Sequence, residues 1–185
     1  KYNLPDLTVT INISKEQLIY GKLVNNIKKT IQNYSLDPGC IEIEISEAHL
    51  IRKREKIIKT LSQLNKLGVN LSVDHFGLKN LSLKSLNIHK INNFVLDQSL
   101  INNIQENEED RKLLRAVIAM AKSLNVEITA KGIETFSQLE FLKICHCDNA
   151  QGFFISKPMS SKKIEYILDG EITGKNLLVN MHENL

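Results

Sequence analysis

The sequence predicts a parallel α/β fold, with its strands closed into a βα barrel in preference to an open sheet. Three observations predict it. Strand-like and helix-like periods alternate about six times along the 185 residues, which is the signature of βα units. Polar residues recur on one strand face, at Asn12, Glu44, Asp74, Lys90, Lys131 and Gln151. Polar groups in the core of an open sheet lack partners, whereas at a barrel mouth they can converge on a ligand. The stretch from Asn70 to Phe76 alternates, with Leu71, Val73 and His75 pointing one way and Asn70, Ser72 and Asp74 the other. It ends in a carboxylate and then Gly77, and strand C-termini are where barrel active sites sit.

The elements follow in order. Residues 7–14 (LTVTINIS) read as the first strand, with Thr8, Thr10, Asn12 and Ser14 on one face and Val9, Ile11 and Ile13 on the other. Residues 15–34 carry Leu18, Ile19, Leu23, Ile27 and Ile31 at helical spacing. Ser14 is the expected N-cap, with Gln17 closing a capping box. Asp37-Pro38-Gly39 is a turn. Residues 41–46 alternate, with Ile41, Ile43 and Ile45 opposite Glu42, Glu44 and Ser46. Residues 48–67 read as a helix closed by Gly68. After the strand at 70 come a short strand at 86–91 carrying Lys90 and a helix at 107–124. The stripe of that helix is Leu113, Leu114, Val117, Ala121 and Leu124. A strand at 126–131, a helix at 135–145, a strand at 149–155 and a closing helix at 160–168 complete the pattern.

The bulk numbers exclude several classes. With 42% hydrophobic and 24% charged residues, the chain suits one globular domain, through residue 169, with an unassigned tail at 170–185. A net charge of +3 with no block of like charges, 5% aromatics and no Trp argue against a nucleic-acid partner. Three cysteines without a paired framework suit reduced thiols in a cytoplasmic protein. Cys145-His146-Cys147 suggests a metal only weakly, since structural zinc wants four ligands. No apolar run is long enough for a membrane span. The chain does not begin with Met, which fits a fragment.

The motif order Asn12-Ile13-Ser14, Glu44-Ile45-Ser46-Glu47, Asp74-His75-Phe76-Gly77, Lys90-Ile91-Asn92, Lys131-Gly132-Ile133-Glu134 and Gln151-Gly152 resembles the EAL domains. These are cyclic di-GMP phosphodiesterases with a (β/α)8-like, TIM-like barrel. Their corresponding run is N-L-S, E-[LIV]-T-E, D-D-F-G-T-G, K-I-D, E-G-V-E and Q-G. The resemblance implies that Asn12, Glu44 and Asp74 stand at metal-ligand positions for Mg²⁺ or Mn²⁺, hard ions that take oxygen ligands. It implies that Lys90 is the lysine that orients water or contacts phosphate, and Glu134 the acid that holds it. Glu47 matches a residue anchoring the loop after the central strand, and Gln151 a polar lining residue. In the family such a pair of ions activates water and neutralises the phosphodiester.

The departures are as informative. Two strands and a helix precede N-L-S in the family, one of them carrying the E-A-L glutamate; only eleven residues precede Asn12 here, and none spells it. His75 stands for the second Asp, Lys131 for the first Glu of E-G-V-E, and Asn92 for the Asp of K-I-D. The loop after Gly77 reads as shortened, without T-G-Y-S-S. The expectation is a barrel that lacks its first strands and helix, with an exposed edge covered by a partner chain, a homodimer or a missing segment.

Plainer readings stay open beside these. Asn12 and Ser14 can simply cap the next helix, and His75 can be an ordinary core or surface histidine. Lys90 and Lys131 can form internal ion pairs with Glu44, Asp74 or Glu134. The functional expectation is a degenerate, inactive EAL-like module of cyclic di-GMP signalling, regulatory, nucleotide-sensing or protein-binding, with no metal or at most Mg²⁺ or Mn²⁺. The alternatives are an active phosphodiesterase seen as a fragment, and an interaction scaffold that binds no nucleotide.

Overall fold

The computed structural model describes residues 7–51, 55–76 and 90–168, in two compact units, Leu7–Val95 and the chain from Leu96 onward. The first unit holds β1 (Val9–Asn12), α1 (Lys15–Tyr20), α2 (Leu23–Tyr34), β2 (Ile41–Ser46), α3 (Glu47–Ile51), α4 (Glu55–Leu67), β3 (Asn70–Phe76) and β4 (Asn93–Leu96), which runs to its boundary. The second holds α5 (Ser99–Asn102), α6 (Glu108–Ser123), β5 (Glu127–Lys131), α7 (Phe136–Ile144), β6 (Asn149–Gln151) and α8 (Ser161–Leu168).

In the first unit β1 pairs with β2 and β2 with β3, both parallel, and β4 follows next to β3. Strand alternation then sorts the side chains. Ile43, Ile45, Leu71 and Val73 are fully buried, on the side from which α3 and α4 contact β2 and β3. Thr10, Asn12, Glu42, Glu44, Ser72 and Asp74 take the opposite face. Burial supplies the main driving force, on the order of 1.5–3 kcal/mol for each large apolar side chain. Strand β1 is exposed at every residue; Val9 is 61% and Ile11 40% exposed, as an edge strand would be. In the second unit β5 and β6 pair in parallel.

The local signals for helix starts are present. Ser14 and Gln17 form the expected capping box, and Thr135 and Gln138 form a second. Gly68 ends α4 at φ +86°, the left-handed turn that glycine makes at least cost. Asp37 accepts the Gly39 N–H at 2.9 Å, which shapes the expected turn.

Several expectations are corrected. The helix expected over 15–34 is two, because Gly21 leaves α1 in an extended conformation (ψ 165°), and glycine is the residue least costly to release from a helix. The buried stripe of α6 is Leu114, Val117, Ile118 and Ala121, while Leu113 and Leu124 are exposed. The helix α5 was not expected. The last strand stops at Gln151, since the chain turns at Gly152, whose carbonyl accepts the N–H groups of Ile155 and Ser156. Of the strand expected over 86–91, residues 86–89 lie outside the described residues, as do 77–85, while Lys90 and Ile91 are not in a strand; β4 follows at Asn93–Leu96. The tail from 169 and the loop expected to be short after Gly77 also lie outside the described residues.

Candidate functional site

The ladder registers build the site. Asn12 is the register partner of Glu44, Glu44 of Ser72, and Ser46 of Asp74. Asn12, Glu44, Ser72 and Asp74 therefore lie on one face across three neighbouring strands, toward their C-terminal ends. The Ile13 N–H donates to the Glu44 carbonyl at 3.0 Å and locks that register. One layer earlier on the same face, Thr10 Oγ1 donates to Glu42 Oε1 at 3.1 Å. Asn93 Nδ2 reaches the same carboxylate at 3.4 Å. Glu42 was not singled out from the sequence, although its alternation with Glu44 was the signal that could have found it. Glu47, at the first position of α3, is buried.

Asp74 and His75 form a unit. The His75 N–H donates to Asp74 Oδ1 at 2.9 Å, and His75 Nδ1 lies 3.1 Å from Asp74 Oδ2. Strand parity grouped His75 with Leu71 and Val73, yet those are buried and the His75 side chain is 61% exposed. The cause is its left-handed backbone, φ +62°, which breaks the alternation and turns the ring back onto its neighbour. Phe76 then returns to the core and stacks on Phe94, ring centroids 4.0 Å apart.

The second unit places Lys131 and Gln151 side by side as register partners at the ends of β5 and β6. The Gln151 carbonyl accepts the Ile133 N–H at 3.0 Å, and the Ile133 carbonyl accepts the Phe154 N–H at 3.0 Å. Gly152 makes this approach possible: a Cβ there would fall 2.1 Å from the Ile133 oxygen. Glu134 is exposed, and its N–H donates to Gln138 Oε1 at 2.8 Å. Lys90 is exposed and outside any strand, so it does not stand at a strand end as expected. The residues that do so on this strand are Val95, Leu96 and Asp97; Asp97 Oδ1 accepts the Ser99 N–H at 2.9 Å. Asn92 is likewise displaced from the strand end, and its side chain accepts the Leu71 N–H at 3.1 Å.

The donor set decides what metal the first unit fits. Asn12, Glu44 and Asp74 offer one amide and two carboxylates, oxygen donors suited to one hard cation. Ser72 adds a fully buried hydroxyl with no hydrogen-bond partner among the described residues. Among the described residues there is no group of three or more His, Cys, Asp or Glu placed to hold a metal. The cysteines supply no alternative: Cys147 is buried, its Sγ 3.4 Å from the Ile128 and Asn149 carbonyls, and burial pushes its thiol up to about 12. No helix among the described residues is long and apolar enough to cross a membrane.

Comparison with known proteins names the class. The EAL domain family model matches residues 1–158, and the chain belongs to that family. It is 34% identical over 163 residues to the signaling protein YkoW of Bacillus subtilis, covering 88% of this chain and 20% of that protein. The solved PaMucR phosphodiesterase in complex with c-di-GMP superposes with a TM-score of 0.79 at 29% identity, over 85% of this chain and 64% of that one. The EAL domain of Mycobacterium smegmatis DcpA gives 0.81 at 28% identity, over 88% and 73%. The fold is thus the EAL-type barrel, in part. The chain spans about a fifth of the length of the full-length relatives it matches.

Proposed function

We propose that this chain is a non-hydrolytic EAL domain that acts in cyclic di-GMP signalling as a regulatory or nucleotide-sensing module. The observation that carries the reading is the Asp74–His75 pair. An imidazole, held at 3.1 Å from the carboxylate, stands where the family motif has a second acid. It supplies no negative charge for a second hard cation and competes with the first one for Asp74.

Two further features support it. Lys131 stands where the family has the first Glu of E-G-V-E, so the acid that the motif carries there is replaced by a base. With the strand set at Asn93–Leu96, the register of K-I-D moves to Val95-Leu96-Asp97. This puts a buried valine in place of the lysine and returns the acid at Asp97. A single Mg²⁺ or Mn²⁺ is the most that Asn12, Glu44 and Asp74 would hold. Such an ion, when bound, supplies Lewis-acid polarisation of a phosphodiester; the residues themselves orient the ligand's phosphate at the strand ends. One barrel domain through residue 169 with a tail at 170–185, a cytoplasmic location and a protein partner or homodimer belong to the same proposal.

The test is incubation with cyclic di-GMP and Mg²⁺ or Mn²⁺, with chromatography for the linear dinucleotide. The expected result is none above the no-protein control. Robust turnover abolished by Asp74→Ala would overturn the reading in favour of an active phosphodiesterase, which the intact row Asn12, Glu44 and Asp74 favours. Calorimetry with cyclic di-GMP separates a nucleotide sensor from a scaffold that binds none: a micromolar dissociation constant excludes the scaffold.

A further inference from the structure

We propose that the outer edge of β1 is a self-pairing surface, through which two copies of this chain associate by an antiparallel β1–β1 ladder across a two-fold axis. The proposal rests on the homodimer named in the reading above and gives it a surface. Strand β1 stands at the end of the strand order and pairs with β2 alone among the described residues. All its residues are exposed, Val9 at 61% and Ile11 at 40%. Edges that must stay unpaired are protected by lysines, by proline or by a bulge. Residues 7–14, LTVTINIS, hold no charge and no Pro, and the register with β2 runs unbroken from Val9 to Asn12.

The existing ladder fixes which main-chain groups face outward. The Ile13 N–H donates to the Glu44 carbonyl, so by alternation Ile13, Ile11 and Val9 turn their main-chain groups toward β2. Thr8, Thr10 and Asn12 turn theirs away from it. A two-fold axis at Thr10 sets Thr10 against Thr10 of the second copy, and Thr8 against its Asn12. In that register all the outward residues exchange bonds in antiparallel pairs. The same register sets Val9 against Ile11 of the second copy, so apolar meets apolar on one face and polar meets polar on the other. A two-fold contact lays a surface on itself. A charged edge would repel its own copy, and this one carries no charge. These bonds and the Val9–Ile11 contacts make a small interface, below the roughly 1,200 Å² of ordinary stable complexes, so the dimer is reversible and of micromolar strength.

The test is sedimentation equilibrium on the whole 185-residue chain, from about 1 to about 200 μM. The natural chain is expected to pass from monomer to dimer across that range. Val9→Lys and Ile11→Glu should each weaken the dimer at least about tenfold. Mixed together they should associate more tightly than either does alone, because the lysine of one copy then faces the glutamate of the other. Circular dichroism melting of each variant as a dilute monomer should match the natural chain, which excludes misfolding as the cause. Amide exchange should slow with concentration at Thr8, Thr10 and Asn12, and not at Ile13. A chain that stays monomeric at about 200 μM overturns the proposal and leaves the edge to a strand of different sequence. A dimer that Val9→Lys leaves intact, or a mixture no tighter than its parts, overturns it too. Turnover of cyclic di-GMP would overturn the non-hydrolytic reading and leave this one standing.

Discussion

Gly152→Ala is the substitution whose outcome the geometry defines most sharply. The new Cβ would lie 2.1 Å from the Ile133 oxygen, 2.2 Å from its nitrogen and 2.7 Å from its carbonyl carbon. These are backbone atoms of a residue that is itself fully buried, so no side chain can swing aside. The strand ends must part, which costs about 1–3 kcal/mol for overpacking. Parting them also strains two 3.0 Å bonds, Ile133 N–H to Gln151 and Phe154 N–H to Ile133, each with a net contribution of about 0.5–1.5 kcal/mol. The loss should reach about 2–6 kcal/mol, or about 1–3 M in urea midpoint at an ordinary slope of about 2 kcal/mol/M. Urea unfolding followed by circular dichroism reads it directly. Gly132→Ala is the internal comparison. That residue has φ +79°, and the three atoms nearest a Cβ there all belong to the Gln98 side chain, which can rotate away, so its cost is mainly the left-handed backbone, about 1–2 kcal/mol. A midpoint shift below about 0.3 M for Gly152→Ala, or a larger shift for Gly132→Ala, would refute the close-approach argument.

Other outcomes follow from the same geometry. Asn93→Ala removes a donor from the buried Glu42 carboxylate and should destabilise by about 1–3 kcal/mol, read by thermal melting. A cycle with Thr10→Val should be non-additive, since both side chains serve one group. Thr135→Ala removes the α7 cap and should cost about 1 kcal/mol, measured by urea unfolding. The Cys147 thiol, pushed by burial from an ordinary 9.0 to about 12, stays protonated in the folded chain while the unfolded chain ionises. Its contribution is therefore flat below about pH 8 and destabilising between about 9 and 12, at up to about 1.4 kcal/mol per unit. Cys147→Ala should lose that alkaline slope in pH-dependent unfolding.

Much of the candidate site was legible because strand alternation and helix capping are local. Ile41–Ser46 and Asn70–Asp74 sort their side chains with a period of two, so Glu44, Ser72 and Asp74 could be assigned one face before any pairing was known. Ser14 with Gln17 announced a helix start by chemistry that acts within a few residues. The EAL motif order carried the family as well.

What depended on tertiary contacts was of another kind. Strand β4 is the short run NFVL, buried at every position; with both faces covered there is no alternation to detect, so the pattern did not mark it. His75 obeyed parity on paper, but one left-handed φ reverses a side chain and leaves no trace in hydrophobic pattern. Local sequence determined which residues are strands, caps and acids. Only the packing of one strand against the next decided the register that sets Asn12 beside Glu44 and Ser72, because register is a long-range choice made by the burial of whole faces.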